Sequence, residues 1–169
     1  RGRLRLGNRR IEVQGASWLD REWSSSALAA DQQGWDWFAL QFDDNTELMF
    51  YQIRRSDGSR DPMSAGTRVE ADGSSHYLRA GDVELTVLDH WDSPAGGRYP
   101  AGWRLLVPRL DLDVRVVPVF ADQELDTAVR YWEGAVDVNG RSGDRTVGGH
   151  GYVELTGYAE APSRQNASD

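Results

Sequence analysis

The amino-acid sequence predicts an all-β protein, an antiparallel up-and-down β-barrel of about ten strands. Short runs rich in β-branched and aromatic residues recur along the chain, and clusters of Gly, Asp, Asn and Ser separate them. No stretch keeps the 3.6-residue period of an amphipathic helix. A closed barrel removes exposed strand edges, so we prefer it to the alternative, a Greek-key sandwich.

The strand pattern is clearest in residues 110–116. Apolar residues occupy every second position there, and Asp111, Asp113 and Arg115 occupy the positions between them. Residues 83–87 repeat the pattern, which predicts one buried face and one solvent face. The other predicted strands are residues 4–6, 11–15, 35–43, 47–54, 75–79, 103–107, 131–138 and 146–156.

Short polar turns connect these strands. The pairs Asp57-Gly58, Asp72-Gly73, Gly81-Asp82 and Asn139-Gly140 contain residues that tolerate the positive φ of tight hairpins. Residues 120–128 interrupt the strand pattern and predict a short helical turn or a crossing loop. We expect residues 1–159 to form one domain and the polar stretch 160–169 to be a disordered tail.

Composition excludes several classes of function. The net charge of −8 argues against nucleic acid or an anionic membrane as a partner. There is no Cys, and no apolar run reaches the length of a transmembrane helix. The three His residues show neither H-x-H nor H-x-x-x-H spacing, so we predict no metal site and no cofactor. No G-x-S-x-G motif supports a serine hydrolase.

The strand at residues 35–43 is apolar on both faces. Phe38 and Leu40 lie on one face, and Trp35 and Trp37 lie on the other. The following strand, which contains Tyr51, repeats this arrangement. Water cannot cover both faces favourably, so one face either lines an apolar cavity or packs against another domain.

Five motifs together resemble the second, C-terminal lipocalin-like barrel of the AttH and carotenoid 1,2-hydratase (hydroxyneurosporene synthase) family. Their order and spacing match over about residues 10–158. The motifs are GASWLDREW (15–23), GWDWFALQFDDNTELMFYQIR (34–54), YPAGW (99–103), YWEG (131–134) and GYVELTGY (151–158).

The resemblance implies a lipocalin-like barrel preceded by an upstream lipocalin-like domain in a bacterial, periplasmic or secreted protein. It implies an apolar small-molecule ligand, an isoprenoid or lipid-like compound. It also implies that an enzymatic member would be a hydro-lyase that adds water to a carbon–carbon double bond. Non-catalytic binding of a hydrophobic ligand and a structural interdomain role are the alternatives.

Hydration of an alkene requires a carboxylic acid that donates a proton and aromatic faces that stabilise the cation. Hydratase-like members carry an aromatic residue two positions before an acidic one, and the resemblance places these at Trp18 and Asp20. Trp18 stands where those hydratases have Tyr. Glu22 would share a strand face with Asp20. Burial in an apolar pocket would keep Asp20 protonated, whereas a structural acid held by Arg21 or by backbone amides is the alternative.

The last predicted strand carries a second polar group. His150, Tyr152 and Glu154 share one strand face, and they would form a polar strip in a cavity if that face points into the barrel. The structural alternative is a buried Glu paired with an Arg that closes the barrel. The candidate ligand-binding residues are Trp35, Trp37, Tyr51, Trp132, Glu133, His150, Tyr152 and Glu154.

Overall fold

A computed structural model describes residues 1–21, 28–127 and 130–159. Glu22, a predicted catalytic residue, and the predicted tail 160–169 lie outside these described residues. The described chain is almost entirely β-structure, with short 3₁₀ helices at Ala80–Asp82 and Pro108–Leu110. The strands are β1 (Gly2–Leu6), β2 (Arg9–Val13), β3 (Gln32–Phe42), β4 (Glu47–Arg55), β5 (Ala65–Val69), β6 (Ser75–Arg79), β7 (Glu84–Asp92), β8 (Arg98–Val107), β9 (Leu112–Pro118), β10 (Glu124–Asp126), β11 (Arg130–Ser142) and β12 (Arg145–Thr156).

Ten of these strands form one curled antiparallel sheet, which confirms the predicted fold class. Consecutive strands pair from β3 to β6 and again from β7 to β9. β11 pairs with β9 and β12, and the short strand β10 also pairs with β11. β12 then returns to pair with β3, with Tyr152 opposite Ala39. The result is an up-and-down barrel that is open between the edge strands β6 and β7.

Arginine side chains occupy the opening between β6 and β7. Arg60 donates hydrogen bonds to the carbonyl oxygens of Ala80, at 2.9 Å, and Val83, at 2.6 Å. Arg109 donates to the carbonyl oxygen of Tyr77 on β6. Backbone carbonyls that no strand reaches need such partners, so these arginines compensate for the missing pairing at the edge.

The barrel interior is a packed apolar core. On β3, Phe38 and Leu40 point inward and are fully buried, and the ring centroid of Phe38 lies 5.5 Å from that of Trp103 in an edge-to-face contact. Trp103 in turn packs against Trp132, with a centroid separation of 6.2 Å. The predicted alternation is observed on β9, because Leu112, Val114 and Val116 are buried, whereas Arg115 is exposed. Leu110 and Asp111, which were also predicted in this strand, instead end the preceding 3₁₀ helix. The inner faces of the strands therefore fill the interior.

The predicted turn at Asn139-Gly140 is wrong, because β11 continues through both residues to Ser142. Gly140 has a different structural role there. A Cβ atom at Gly140 would lie 2.2 Å from the carbonyl oxygen of Asp113 on β9. Glycine therefore permits the close approach of β9 to β11, whereas Gly58 and Gly73 adopt the positive φ expected of turns.

Two further features differ from the sequence prediction. Residues 124–126 form β10, a short strand paired with β11, where a helical turn or a loop was expected. β5, which the sequence did not predict, pairs with β4 and β6. The β1–β2 hairpin forms a separate two-stranded sheet, so the chain enters the barrel at β3.

Candidate functional site

A cavity of about 420 Å³ lies on the outer side of the barrel wall. Residues 16–20, which follow β2, form one side of it, and the outward faces of β3 and β12 form the other. The lining residues are Ala16, Ser17, Trp18, Asp20, Trp37, Ala39, Gln41, His150, Gly151, Tyr152 and Glu154. The two groups of residues predicted from separate parts of the sequence thus meet at one cavity.

Antiparallel pairing of β3 with β12 sets the arrangement of this wall. Glu154 stands opposite Trp37, and His150 stands opposite Gln41. Because side chains alternate along a strand, these residues point away from the face that carries Phe38 and Val153. The polar strip predicted on β12 therefore faces outward, and it lines a cavity outside the packed core instead of one inside the barrel.

Two indole rings form the aromatic part of the cavity. The ring centroids of Trp18 and Trp37 are 6.4 Å apart, with an interplanar angle of 74°. The indole Nε1 of Trp18 is buried and has no hydrogen-bond partner in the described part of the chain. A buried donor is costly when unpaired, so an acceptor that reached this N–H would be stabilising.

Glu154 is held in place by a neighbouring side chain. Trp35 donates a hydrogen bond from its indole Nε1 to Oε1 of Glu154 at 2.7 Å. The Trp35 ring also packs edge-on against Tyr131, with a centroid separation of 6.5 Å. Trp35 therefore does not line the cavity, but it fixes the carboxylate that does.

Tyr152 connects the cavity to Glu133 on β11. Its hydroxyl donates to the side-chain Oε2 and the carbonyl oxygen of Glu133, each at 3.3 Å. Partial burial raises the pKa of the Tyr152 phenol, and the neighbouring charges of Glu133 and Glu154 raise it further. The phenol thus remains protonated and serves as a hydrogen-bond donor at neutral pH.

Asp20 lies at the cavity with its side chain exposed. Among the described residues it forms no hydrogen bond or ion pair, including none with Arg21.

Some predicted ligand-binding residues lie away from the cavity. Trp132 is fully buried in the barrel core, where its Nε1 donates to the carbonyl oxygen of Ala121 at 2.7 Å. Tyr51 lies on β4, opposite Trp37, and is half-buried. Glu133 reaches the cavity only through Tyr152. Gln41 and Ser17 line the cavity although the sequence did not single them out.

A second polar group, which the sequence analysis missed, lies inside the barrel. The buried carboxylate of Asp36 accepts hydrogen bonds from Arg54 Nε at 3.0 Å, Gln52 Nε2 at 2.6 Å and the Tyr158 hydroxyl at 2.9 Å. Burial raises the pKa of Asp36, although the Arg54 guanidinium opposes this effect. Asp36 occupies a position of apolar periodicity on β3, so only the clustering of its partners reveals it.

Within residues 1–21, 28–127 and 130–159, no group of three or more His, Asp or Glu side chains is arranged to hold a metal ion. In the same part of the chain, no helix has the length and apolarity that a membrane crossing requires.

The curled antiparallel barrel places the protein in the lipocalin-like class of folds. Within that class the chain belongs to the AttH-like family, whose model matches residues 1–158. An AttH protein from Nitrosomonas europaea has a crystal structure similar to this one, with a TM-score of 0.72 and 32% sequence identity. The similarity covers 82% of this chain and 42% of that chain.

A second similar structure is kievitone hydratase from Nectria haematococca, with a TM-score of 0.68 and 21% identity over 82% of this chain and 43% of that chain. At this identity the likeness shows the fold alone. No curated protein matches the chain in sequence. The chain thus spans about two fifths of the length of the two similar structures, 42% and 43%.

Proposed function

We propose that this barrel binds an apolar isoprenoid or lipid-like molecule in the outer cavity and adds water to one of its carbon–carbon double bonds. One observation carries the proposal. Residues 16–20 and the outward face of β12 are far apart in sequence, yet they meet at a cavity of about 420 Å³. That volume falls within the range typical of small-molecule sites.

The lining residues match the steps of a hydration. Asp20, in its acid form, donates a proton to the less substituted alkene carbon, and a tertiary carbocation results. The faces of Trp18 and Trp37 stabilise this cation through their quadrupoles. Water then forms the new C–O bond, and Glu154 accepts the proton that this water releases. The net reaction consumes one alkene and one water and yields a tertiary alcohol.

We further propose that this barrel is the C-terminal half of a two-barrel protein, with a lipocalin-like domain upstream. The matched portion of the Nitrosomonas europaea AttH chain, 42% of its length, supports a second unit of similar size. Kievitone hydratase from Nectria haematococca has a similar fold and is named for the same class of reaction. An upstream barrel would add walls to a cavity that already lies on the outer side of this one.

A non-catalytic carrier is the second candidate, and the exposure of Asp20 favours it. A general acid that works near neutral pH needs a raised pKa, which desolvation commonly provides. The described residues leave the Asp20 side chain in contact with solvent. A carrier requires only the cavity and its aromatic wall.

The test uses geraniol, a small acyclic isoprenoid, with the purified chain. Mass spectrometry would follow the addition of one water, and tryptophan fluorescence would follow binding. We expect turnover by the native chain, loss of turnover in Asp20→Asn, and full turnover in the control Asp137→Asn. Asp137 lies on β11 opposite His150, is exposed and does not line the cavity.

Two results would separate the candidates. Unchanged product formation in Asp20→Asn contradicts the acid role of Asp20. Saturable binding of geraniol without any product, in the native chain, supports the carrier instead.

A further inference from the structure

The charged groups of the outer cavity are carboxylates, and much of its apolar surface is aromatic. Asp20 and Glu154 line the cavity, and Glu133 contacts its Tyr152 wall. No Arg is among the described lining residues, and the chain contains no Lys. Among the described residues, the cavity lining therefore combines carboxylates with aromatic rings and includes no Arg.

Aromatic rings beside carboxylates form a favourable environment for an organic cation. An ammonium over an indole face gains electrostatic attraction from the ring quadrupole, and the attraction increases as water is removed. Trp18 and Trp37 meet edge to face at 6.4 Å, so they present differently oriented surfaces to the cavity. Methyl groups on an ammonium would contact these surfaces, while the carboxylates would compensate the charge.

The unpaired indole N–H of Trp18 adds a second requirement. Trp18 lines the cavity, and its Nε1 is buried and finds no acceptor in the described residues. A ligand oxygen would satisfy this donor and recover the cost of its burial. The best ligand therefore carries an oxygen acceptor as well as a positive charge.

We propose that the outer cavity is a binding site for an alkylated ammonium compound that also carries an acceptor oxygen. The site prefers such a cation to an uncharged molecule of the same shape. The proposal concerns the cavity of the proposed function, but it does not depend on any turnover of an alkene.

Butyrylcholine and its uncharged carbon isostere, 3,3-dimethylbutyl butyrate, provide a matched pair of probes. Both carry the same ester carbonyl, and they differ in whether the branched end is a quaternary nitrogen or a quaternary carbon. Titration of the ¹⁵N-labelled chain with each ester at a fixed pH would follow the indole N–H signals. Trp18→Phe identifies the Trp18 signal by its disappearance.

We expect both esters to shift the Trp18 indole signal and butyrylcholine to bind at least about fivefold more tightly. Glu154→Gln removes the charge but keeps an acceptor for Trp35, so the preference should fall at least about twofold. Asp72→Asn, with the same change of charge in the exposed turn between β5 and β6 and outside the cavity lining, should leave the preference unchanged. Higher salt should weaken the binding of the cation only.

Several outcomes would overturn the proposal. They are equal affinity for the two esters, tighter binding of the uncharged ester, no shift of the Trp18 signal, and a cation preference that survives the combined Asp20→Asn and Glu154→Gln changes. The hydration assay with geraniol is independent of these results. Hydration without a cation preference would leave the proposed function in place, and a cation preference without hydration would favour the carrier.

Discussion

The two faces of strand β3 differ although their composition is similar. On the inner face, Phe38 and Leu40 have no exposed surface, and residues from strands all around the barrel cover them. On the outer face, Trp35 and Trp37 remain partly exposed beside a cavity. The apolar content of a strand face therefore does not show whether that face belongs to the core or to a binding site. The polar residues on the outward face of the neighbouring strand β12 make that distinction.

The largest expected difference between the faces is in stability. Phe38→Ala should lower the free energy of unfolding by about 3–5 kcal/mol, because it removes a fully buried ring and leaves a cavity against Trp103. Trp37→Ala should cost less than about 2 kcal/mol, since a larger but partly exposed ring is removed. Urea unfolding followed by circular dichroism measures both.

This comparison has a built-in size control. The indole is larger than the phenyl ring, so a purely size-dependent effect would reverse the order. If Trp37→Ala proved more destabilising than Phe38→Ala, the outer face would be part of the core and the assignment of the cavity would be wrong.

The next largest effect concerns the single acid on the inner face of β3. Asp36→Asn should cost about 2 kcal/mol, because Arg54 loses its charged partner inside the barrel and the Gln52 amide, which donates to the second carboxylate oxygen, loses its acceptor. The matched change Asp137→Asn, on an exposed outer position, should alter stability by less than about 0.5 kcal/mol. Chemical denaturation at one pH compares the two, and equal effects would contradict the buried network.

The sequence predicted the barrel because strand periodicity is a local property, and side chains on β9 and β12 alternate between buried and more exposed positions in the folded chain as the sequence predicts. It also predicted which residues of β12 share a face. It could not show which way that face points, because both faces of β3 are apolar and the choice depends on pairing with β12. The convergence of Asp20 with Glu154 depends on the path of residues 16–20, for which the sequence contains no periodic signal.

The same limit explains why the sequence predicted a turn at Asn139-Gly140 and did not reveal the buried Asp36 group. Asn139-Gly140 has the composition of a turn, but Gly140 instead allows the backbone of β9 to approach, which only the tertiary structure reveals. Asp36 interrupts an apolar pattern, and its partners Arg54, on the neighbouring strand β4, and Tyr158, after β12, are 18 and 122 residues away in sequence. Long-range pairing, rather than local propensity, decides both cases.

The polar loop between β4 and β5 should contribute to stability in a pH-dependent way, unlike the apolar interior. This effect is smaller and is confined to acid pH. Hydrogen bonds from Gln32, the Met63 amide and Arg55 hold the pKa of Asp61 at about 2, below its ordinary value of 3.8. A carboxyl whose pKa is lower in the folded state stabilises the fold above pH 3.8, and this contribution is lost as the pH falls towards 2.

The stability of the native chain should therefore decline over this acid range, and Asp61→Asn should flatten the decline. Phe38→Leu, an apolar change in the core, should shift the whole profile without changing its slope. Unfolding by urea at several pH values provides the comparison. An identical slope in Asp61→Asn and the native chain would show that other carboxyls control the acid response.

The smallest effect tests the hydrogen bond that positions the outer carboxylate. Trp35→Phe removes the 2.7 Å bond from the indole to Glu154 while retaining a ring beside Tyr131. Because the acceptor carries a charge but the pair is only partly buried, the coupling energy should be about 1 kcal/mol. A double-mutant cycle with Glu154→Ala isolates this coupling from the packing of the ring. A coupling below about 0.3 kcal/mol would mean that Glu154 is not fixed by Trp35, and the outer face would then hold its carboxylate only through the pairing of β3 with β12.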